Sequence, residues 1–485
     1  MREQRLRGGV AAPPLLPPIE GHPLPTPRRF AVALAVCALL VAACSGEDGD
    51  EGGSATPSPT ATTEEATATQ GAASPTEELQ TGVGVTEEPC PDSIDAEKGC
   101  IYLGILSDLT QGPLAGLGQA VTRAQNAFWR HVNEQGGIAG RYEVNVAEYT
   151  RDNAGDPDTQ VELFGEIEPN VLALAHTLGE QATDAILDQL RERGVVAAPI
   201  LRPSTWAFED VMVESGAPYC LATISALDYW VDRAERDPAP LMAVYGPDEY
   251  GRDGAAGAKL WAEANDVEFI AVPQTPTADG GEVASTVATI LEHEPDVVLM
   301  AVSDRDLAPI VVGAADGGFD DRFIGLSPTW QAALVEHPDF DVLAERYWHV
   351  TPWGGHWGAD VAAFNDLRAA LDDVAGNDQY LAGWVSSYPL LAALEAAAAN
   401  GDLTREGLLA AVTELESVDY RGALPEGAGN FAGDSNAQTG RAATVSRPDA
   451  ANPSGLTAME RLFTGSTAEE LDVSAPCDEL VTLDE

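Results

Sequence analysis

The sequence has 485 residues, with 26 Lys plus Arg against 78 Asp plus Glu, and its formal net charge is −52 at pH 7. Such a charge repels nucleic acid and anionic lipid headgroups, so no nucleic-acid partner is expected. The length allows more than one folded lobe.

The first 43 residues have the features of an export signal. Arg28 and Arg29 precede an apolar stretch, 30–43, which is shorter than the roughly 20 residues that a membrane-spanning helix needs. The stretch ends in small residues followed by Cys44, which resembles the lipobox of bacterial lipoproteins, where the Cys thiol is acylated after cleavage. We expect a signal peptide over 1–43 and a lipid on Cys44. An ordinary signal peptide or a short membrane anchor with an incidental cysteine is the alternative.

Residues 44–89 consist mainly of Ser, Gly, Thr, Ala, Pro and Glu, with few large apolar side chains. Such a segment buries too little surface to offset its chain entropy. We therefore predict that 44–89 is a disordered tether, which holds the folded part of the protein away from the membrane with flexible reach.

Five cysteines follow residue 43. If Cys44 carries lipid, an even number remains, as is typical of proteins in an oxidising compartment. We expect Cys90 to pair with Cys100, because a Pro-Asp pair between them lets the chain turn back, and Cys220 to pair with Cys477. Metal binding is the rival interpretation, but no Cys-x-x-Cys spacing occurs and the histidines are scattered, so no metal is expected.

From residue 100 onward, apolar strands alternate with helices. The pattern predicts strands at 101–106, 142–146, 171–175, 195–200, 241–245, 267–272, 297–302 and 323–326, and helices at 117–132, 185–193, 255–264, 283–291 and 307–315. Strands this apolar, separated by helices, indicate parallel sheets covered on both faces, and two sheets fit better than one. After residue 353 the pattern changes to long helices, at 359–371, 380–399 and 404–415.

Four segments, in this order, carry a family resemblance. They are Ile101–Thr110 followed by Gly112, Asn133–Arg141 with the sequence NEQGGIAGR, Asp248–Gly251 with the sequence DEYG, and Gly383-Trp384 at the start of a long helix. They resemble the type I periplasmic binding proteins of the branched-chain amino-acid and amide class, over about residues 100 to 445. The resemblance implies an α/β fold of two doubly wound parallel-sheet lobes joined by a hinge, with the ligand in the cleft between them.

We place the first lobe at 90–223 and 353–423, the second at 224–352 and 424–477, and a tail at 478–485. In this family an extracytoplasmic lipoprotein captures a small solute by hinge closure and delivers it to an ABC permease with its ATPase. We therefore expect a monomer anchored by lipid to the outer face of the cell membrane, which binds an amino acid, an amide or a related polar compound without a cofactor. A ligand-sensing receptor domain coupled to a signalling partner is the alternative.

The sequence contains no catalytic signature of the kinds we sought. Gly-x-Ser-x-Gly, His-Glu-x-x-His and the P-loop pattern do not occur. Gly116 and Gly118 follow the first strand as in a dinucleotide-binding turn, but Val121 occupies the position of the last glycine. We interpret this segment as a plain strand-to-helix loop, and we expect binding rather than enzymatic activity.

The family's ligand loops, transferred position by position, give the candidate ligand-binding residues. They are Leu178, Gly179, Glu180, Pro203, Ser204, Thr205, Tyr250, Ser303, Asp304 and Ser327. Relatives hold a carboxylate at the first loop with hydroxyls and N–H groups, and Gly179 retains only the N–H. Thr205 offers an N–H and a hydroxyl to an anionic oxygen, or else caps a following helix.

Amino-acid binders place an acidic residue near the position of Ser327, and here that residue is missing. Asp304 or Glu180 is the candidate substitute, because a buried ammonium without an anion is costly. Aromatic walls suit an aromatic, sugar or quaternary ammonium ligand, although core packing is the alternative for any single tryptophan. The tryptophans at strand ends or crossovers are Trp206, Trp330, Trp348, Trp353, Trp357 and Trp384. His349 and His356 suggest a structural or ligand-lining role rather than a metal site.

Overall fold

A computed structural model of the protein describes residues 79–234, 240–275 and 281–483. The predicted signal peptide, Cys44 and the predicted tether as far as residue 78 lie outside these residues. Among the described residues, no helix is long and apolar enough to cross a membrane. All of them belong to one compact unit, in which strands and helices alternate.

The secondary structure follows the order expected of an α/β protein. The strands are β1 (Gln80–Thr81), β2 (Val85–Thr86), β3 (Gly99–Ser107), β4 (Tyr142–Asp152), β5 (Ala173–Thr177), β6 (Ala197–Pro199), β7 (Leu241–Tyr245), β8 (Phe269–Pro273), β9 (Val297–Ala301), β10 (Arg322–Leu326), β11 (Tyr347–Thr351), β12 (Asp402–Leu403), β13 (Ala443–Pro448) and β14 (Leu456–Phe463). The helices are α1 (Ala115–Glu134), α2 (Pro157–Ile167), α3 (Glu180–Arg193), α4 (Tyr219–Ala234), α5 (Glu249–Ala264), α6 (Gly281–His293), α7 (Asp304–Asp316), α8 (Phe340–Arg346), α9 (Ala362–Ala370), α10 (Gln379–Val385), α11 (Tyr388–Ala399), α12 (Arg405–Thr413), α13 (Ser435–Gln438), α14 (Ser466–Glu470) and α15 (Cys477–Leu480).

The first lobe is built on a five-stranded sheet. β3 is its central strand, paired in parallel with β4 on one side and β5 on the other, and β6 follows β5. β2 pairs antiparallel with the start of β3. Nearly every residue of β3 is buried, as expected of a strand that helices cover on both faces. α1 and α9 to α12 pack in the core on one face, and α2 and α3 on the other.

Gly383 allows α10 to pack closely on α1. A Cβ at this position would lie 2.5 Å from the carbonyl oxygen of Val121, so any other residue would push the helices apart. The neighbouring Trp384 is fully buried and meets Phe128 edge to face, with ring centroids 5.1 Å apart. The Gly-Trp pair of the family pattern therefore belongs to the core of the first lobe.

The second lobe is built on a seven-stranded sheet with the order β14-β13-β11-β10-β9-β7-β8. The strands from β8 to β11 are parallel, and β13 and β14 add an antiparallel edge. Alternate residues of β7 face opposite sides of the sheet: Leu241 and Ala243 join a core with α4 and α5, and Met242 and Val244 join a core with α6 and α7. The predicted architecture of two lobes with parallel sheets is confirmed.

The described chain passes between the lobes three times, at 200–218, 352–361 and 432–442. We predicted the boundaries at 223, 352 and 423. In the structure α4 packs wholly in the second lobe, while Leu424 and Phe431 still pack on the first lobe's core.

Residues 79–89, which we assigned to the tether, carry two short strands in the structure. β1 pairs in parallel with β12, and β2 pairs with β3. Val85 is buried. Backbone pairing, rather than a run of apolar side chains, joins this segment to the first lobe, and a composition argument does not detect backbone pairing.

The helix predicted at 380–399 is two helices, α10 and α11. Pro389 lies in the first turn of α11, where its missing N–H and fixed φ are tolerated, but it interrupts a continuous helix. The hydroxyl of Ser387 donates to the carbonyl oxygen of Gly383 at 2.9 Å, which satisfies part of the end of α10. The elements that the sequence patterns did not predict include α2, α4, β13 and β14.

Both predicted disulfides are present. Cys90–Cys100 joins the segment before β3 to β3 itself. Cys220–Cys477 joins the start of α4 to α15, across 257 residues of sequence. The second bridge fixes the C-terminal segment to the second lobe beside the first crossing.

Candidate functional site

A cavity of about 50 Å³ lies between the two lobes. The carboxyl ends of β6, β10 and β11 lead to it, as expected of a ligand site in open parallel sheets. Residues that line it from the first lobe include Leu117, Ile200, Arg202, Asn377, Asp378, Gln379 and Ala382, and those from the second lobe include Tyr219, Ser327, Trp330, Gln331, His349, Ser454 and Leu456.

The size of this cavity indicates that the lobes are nearly closed. A volume of about 50 Å³ holds a few water molecules, whereas small-molecule sites usually measure roughly 300–1,000 Å³. The side-chain amide of Gln379 donates to that of Gln331 at 3.1 Å, which links the two lobes beside the cavity. A solute therefore enters only when the lobes separate.

Arg202 is the most unusual residue of the cavity lining. It follows β6 in the first crossing and is 5 % exposed. Its guanidinium lies 5.3 Å from the ring centroid of Tyr219 and 5.0 Å from that of Trp353. Nη1 makes one long hydrogen bond, 3.4 Å to the carbonyl oxygen of Ile200, and Nε has no partner. No ion pair to Arg202 occurs among the described residues, and the faces of two aromatic rings are the main surroundings of its charge.

Glu214 lies near this guanidinium, and its side chain is half-buried. Burial raises the pKa of the Glu214 carboxyl well above its ordinary value, and the positive charge of Arg202 acts in the opposite direction. Oε1 of Glu214 has no hydrogen-bond partner, and no ion pair joins Glu214 to Arg202 within the described parts of the chain.

Tyr219 opens α4 and forms one wall of the cavity. Its ring meets that of Tyr250 edge to face, with centroids 4.8 Å apart, and its buried hydroxyl has no partner. Tyr250 lies behind it and does not line the cavity. The hydroxyl of Tyr250 bonds the carbonyl oxygen of Leu326 at 3.2 Å and also the hydroxyl of Thr329. Tyr250 thus supports the wall from the second lobe's core.

Two of the six tryptophans named from the sequence, Trp330 and Trp353, line the cavity. The ring of Trp330 stacks on Tyr347 at 5.7 Å, and its indole N–H donates to the carbonyl oxygen of Ser454 at 3.0 Å. The hydroxyl of Ser454 is buried without a partner. The other four pack elsewhere: Trp206, Trp357 and Trp384 in the first lobe, and Trp348 in the second.

The histidines named from the sequence both take part in the cavity region. His349 lines the cavity and bonds Tyr347 through Nδ1 at 3.1 Å; burial, and then the neighbouring His356, lower the pKa of His349 well below its ordinary value. His356 is bonded on both sides, to Asp378 at 2.5 Å and to Ser446 at 2.6 Å. His349 therefore presents a neutral imidazole, an uncharged polar group.

Asp378 is the acidic residue of the cavity lining, and both of its oxygens already have partners. One bonds Nδ1 of His356, and the other accepts the backbone N–H of Trp357 at 2.7 Å. No second carboxylate lines this cavity within the described parts of the chain. The lining therefore holds one unpaired cation and no unpaired anion.

Ser204 lies two residues after Arg202 and belongs to a buried network instead of the cavity. Its hydroxyl donates to Asp253 at 2.5 Å and accepts the N–H of Cys477 at 2.8 Å, while Asp253 also accepts the N–H of Cys220 at 3.0 Å. Burial raises the pKa of Asp253 to about 7. Cys220, Asp253 and Cys477 cluster closely, but both sulfurs are consumed by the disulfide, so the cluster is not a metal site.

Of the ten candidate residues, the structure places only Ser327 in the cavity lining. Leu178 is buried in the first lobe's core, Gly179 has a φ of +101° before α3, and Thr205 is half-buried in a turn at 204–208. Asp304 is exposed and lines a separate open groove.

Two further candidates have partners of their own. Glu180 is buried at the interface between the lobes, where Oε2 accepts the N–H of Tyr250 at 3.2 Å and Oε1 has no partner. Burial is the main cause of the raised pKa of Glu180. The hydroxyl of Ser303 donates to Asp306 at 2.8 Å in the first turn of α7.

Sequence reasoning did not identify Arg202, Tyr219, Gln331 and Gln379. Only Arg202 left a usable signal, since it is a basic residue directly after an apolar strand in a chain with few basic residues. Whether a side chain lacks partners depends on the packing of both lobes, and the sequence does not show that.

Comparison with known proteins agrees with this geometry. The sequence profile of the family described as periplasmic binding protein matches residues 101–452. The structure is similar to a fatty acid ABC transporter substrate-binding protein from Thermomonospora curvata, with a TM-score of 0.71 and 25% identity over 82% of this chain and 98% of that one. No curated protein sequence matches.

Two more distant structures share the fold. A branched chain amino acid ABC transporter protein from Thermus thermophilus with bound valine has a TM-score of 0.65 and 14% identity over 77% of this chain and 98% of that one. A solute binding protein from R. palustris in complex with benzoate has a TM-score of 0.59 and 16% identity, over 76% and 97%. The profile match over residues 101–452 shows that the chain belongs to the periplasmic binding protein family, as its sequence resemblance predicts.

Proposed function

We propose that the protein captures a small polar solute, of the amino-acid, amide or related class, by closure of its two lobes and delivers it to an ABC importer. One observation supports this most: a cavity at the carboxyl ends of the strands of both lobes, linked across by Gln331 and Gln379. The similar structures named for a fatty acid, valine or benzoate are consistent with it, since each of these compounds is a small carboxylic acid or carboxylate.

The proposal concerns binding rather than catalysis. Ser446, His356 and Asp378 are hydrogen-bonded in series, in the order of a nucleophile, a base and an orienting acid. Ser446 is fully buried on β13, however, and neither Ser446 nor His356 lines the cavity, so a solute there does not reach this hydroxyl. The polar groups of the lining are an arginine, a tyrosine, a neutral histidine, hydroxyls, amides and the already bonded Asp378. Such groups fix the orientation of a solute, and the aromatic walls of Trp330 and Trp353 contribute contact area.

A binding screen tests this function. Amino acids, amides, short and long carboxylic acids, sugars and polyamines are added to the purified full chain, and thermal unfolding and tryptophan fluorescence are recorded. We expect at least one compound to raise the melting temperature, because it binds only the folded state. It should also change the emission of Trp330 and Trp353. Protein shown to be ligand-free that responds to no compound would contradict the proposal.

A matched pair of variants locates the binding site. Trp353→Ala removes part of the cavity wall and should weaken any hit. Trp348→Phe changes a half-buried ring that packs against Arg322 in the second lobe and should leave the affinity unchanged. An equal loss in both variants would place the solute outside this cavity.

We further propose that the protein is held on the outer face of the cell membrane by lipid on Cys44. The family to which the chain belongs acts outside the cytoplasm, and the residues before Cys44 have the pattern of a cleaved export signal. Mass spectrometry of the protein from its native membrane should find an acylated Cys44 at the N-terminus, and Cys44→Ala should release the protein into the soluble fraction. An unmodified Cys44 in membrane-bound protein would contradict the anchor.

A further inference from the structure

The charge of Arg202 is buried at a cost in free energy, and the proposed function alone does not say what offsets that cost. A guanidinium that is 5 % exposed and has no ion pair among the described residues is costly to bury, because a charge removed from water needs a partner. The rings of Tyr219 and Trp353 recover part of that cost through cation–π contact. Nε has no hydrogen-bond partner.

Folding does not explain why this position carries an arginine. Its one hydrogen bond within the protein, 3.4 Å to the carbonyl oxygen of Ile200, is long. The half-buried Arg405 also leaves its Nε without a partner, but its other nitrogens donate to Glu168 and, at 2.7 Å, to the carbonyl oxygen of Val171. Arg202 differs from Arg405 in facing the cavity with donors to spare.

We infer that Arg202 anchors the carboxylate of the solute, and that the solute is a monocarboxylate with an apolar body and without an ammonium group. This inference rests on the proposed function. A guanidinium suits a carboxylate because its donors form a planar fork that matches the two oxygens. Tyr219, whose ring lies against this guanidinium, also lines the cavity, and its buried hydroxyl lacks a partner and is available as a further donor.

The rest of the cavity determines the other end of the solute. An amino acid would also need an anion for its ammonium group, and the carboxylate in the lining, Asp378, already bonds His356 and Trp357. The rest of the lining is partly apolar or aromatic, with Leu117, Ile200, Trp330, Trp353, Ala382 and Leu456, and partly neutral and polar, with Ser327, Gln331, Asn377 and Gln379 among others. A zwitterion would bring an ammonium group for which the lining holds no free carboxylate, whereas a solute without an ammonium group needs none.

This assignment also accounts for the departure from the family's pattern that the sequence shows. Gly179 lacks the hydroxyl that relatives use for a carboxylate, and the hydroxyl of Ser204 is committed to Asp253 and Cys477. We therefore assign the binding of the solute carboxylate to Arg202, which lies in the same crossing as Ser204. The carboxylate is then held by a charge rather than by hydroxyl groups.

Matched sets of compounds test the assignment on the full chain. Each carboxylate is compared with its amide and, where one exists, its α-amino acid: benzoate with benzamide, and 4-methylpentanoate with 4-methylpentanamide and leucine, together with longer fatty acids. We expect at least one carboxylate to bind, and its amide and α-amino counterparts to bind at least about 30-fold more weakly, as when one partner of a buried charged pair is removed.

Variants of Arg202 complete the test. Arg202→Gln should weaken the bound carboxylate by at least about 30-fold, and Arg202→Lys, which keeps the charge without the fork, should lose less. Arg130→Gln, which removes an exposed arginine on α1 paired with Glu134, is the control for net charge and should bind as the unaltered protein does. If Arg202→Gln fails to fold, the Arg202→Lys variant and the matched compounds still decide.

Two outcomes would overturn the inference in distinguishable ways. If an amide, an amino acid or a sugar binds in the cavity while every carboxylate is inactive, or if a bound carboxylate tolerates Arg202→Gln, the carboxylate assignment is wrong and solute capture remains. If no compound of any class binds, the proposed function fails as well.

Discussion

Arg202 and Ser204 lie two residues apart in the first crossing between the lobes, and their surroundings are opposite. Ser204 is buried with its hydroxyl fully engaged by Asp253 and Cys477. Arg202 is buried against two aromatic rings, with no ion pair among the described residues and with its Nε unbonded. Buried polar groups in this crossing therefore have two roles. The paired groups stabilise the fold of the crossing, and the unpaired Arg202 is available to bind a solute.

The two groups should therefore respond differently to substitution. Changes in the network of Ser204, Asp253 and the Cys220–Cys477 bridge should alter folding stability and leave solute affinity nearly unchanged. Changes in the cavity lining should alter affinity. The following predictions test that division, beginning with the largest expected effect.

Loss of the bridge between α4 and α15 should have the largest effect on stability. The Cys220→Ala/Cys477→Ala double variant frees a loop of 257 residues, and we expect its free energy of unfolding to fall by about 2–5 kcal/mol. Cys90→Ala/Cys100→Ala opens a loop of only 10 residues and should lose less, since loop entropy grows with length. Chemical denaturation measures both, and the reverse order would contradict the prediction.

Asp253 should make stability depend on pH. Its pKa is raised from an ordinary 3.8 to about 7 in the folded protein, so the folded state holds a proton that the unfolded state releases. The contribution is fully present below about pH 4 and is lost as pH rises to 7, with a total on the order of 4 kcal/mol because each pKa unit corresponds to about 1.4 kcal/mol.

The Asp253→Asn variant should remove this dependence. The amide keeps an acceptor for the N–H of Cys220 and offers a donor to Ser204. Melting temperatures of both proteins between pH 4 and 8 measure the difference: the unaltered protein should lose stability relative to Asp253→Asn as pH rises. A constant difference across that range would show that Asp253 does not titrate there.

Ser204→Ala should cost about 1–3 kcal/mol of stability, because it leaves the N–H of Cys477 without its acceptor. The affinity for any solute found in the screen should change by less than about twofold, well under the effect of losing one hydrogen bond to the solute. Ser303→Ala, at the start of α7, is the control in a less buried place and should cost less. A large loss of affinity in Ser204→Ala would instead indicate that this hydroxyl binds the solute.

Gln379→Ala should have the smallest effect, and it should fall on affinity. It removes the hydrogen bond to Gln331 that joins the closed lobes, so we expect the solute to bind roughly 2- to 10-fold more weakly while the melting temperature of the free protein stays the same. Titration calorimetry measures this, with Gln135→Ala, at the C-terminal end of α1, as the control. Unchanged affinity would show that this bond does not favour closure.

The sequence predicted most of the fold because the signals for it are local. β7 has the predicted bounds, 241–245, since an apolar run with clear ends indicates a buried strand. α2 was not predicted even though Asp156 and Pro157 form a regular start for it, with Asp156 accepting the N–H of Thr159. The residues after that start lack a strong apolar period, and the helix is short.

The lining of the cavity is harder to predict from sequence because its features are not local. Ser327, which the family's loop pattern indicated, follows β10 and lines the cavity. Glu180 and Tyr250 were chosen from the same pattern, and in the structure they bond each other across the lobes. Which polar groups keep partners and which do not is decided by residues hundreds of positions apart, as with Ser204 and Cys477.

The central claim is that Arg202 binds the solute and does not stabilise the fold. One variant tests it directly. Arg202→Met fills the space between Tyr219 and Trp353 without a charge, and melting of the full chain is measured with and without a bound carboxylate. We predict that the ligand-free variant melts at a higher temperature than the unaltered protein and gains nothing from the carboxylate. A lower melting temperature together with an undiminished gain from the carboxylate would contradict the account.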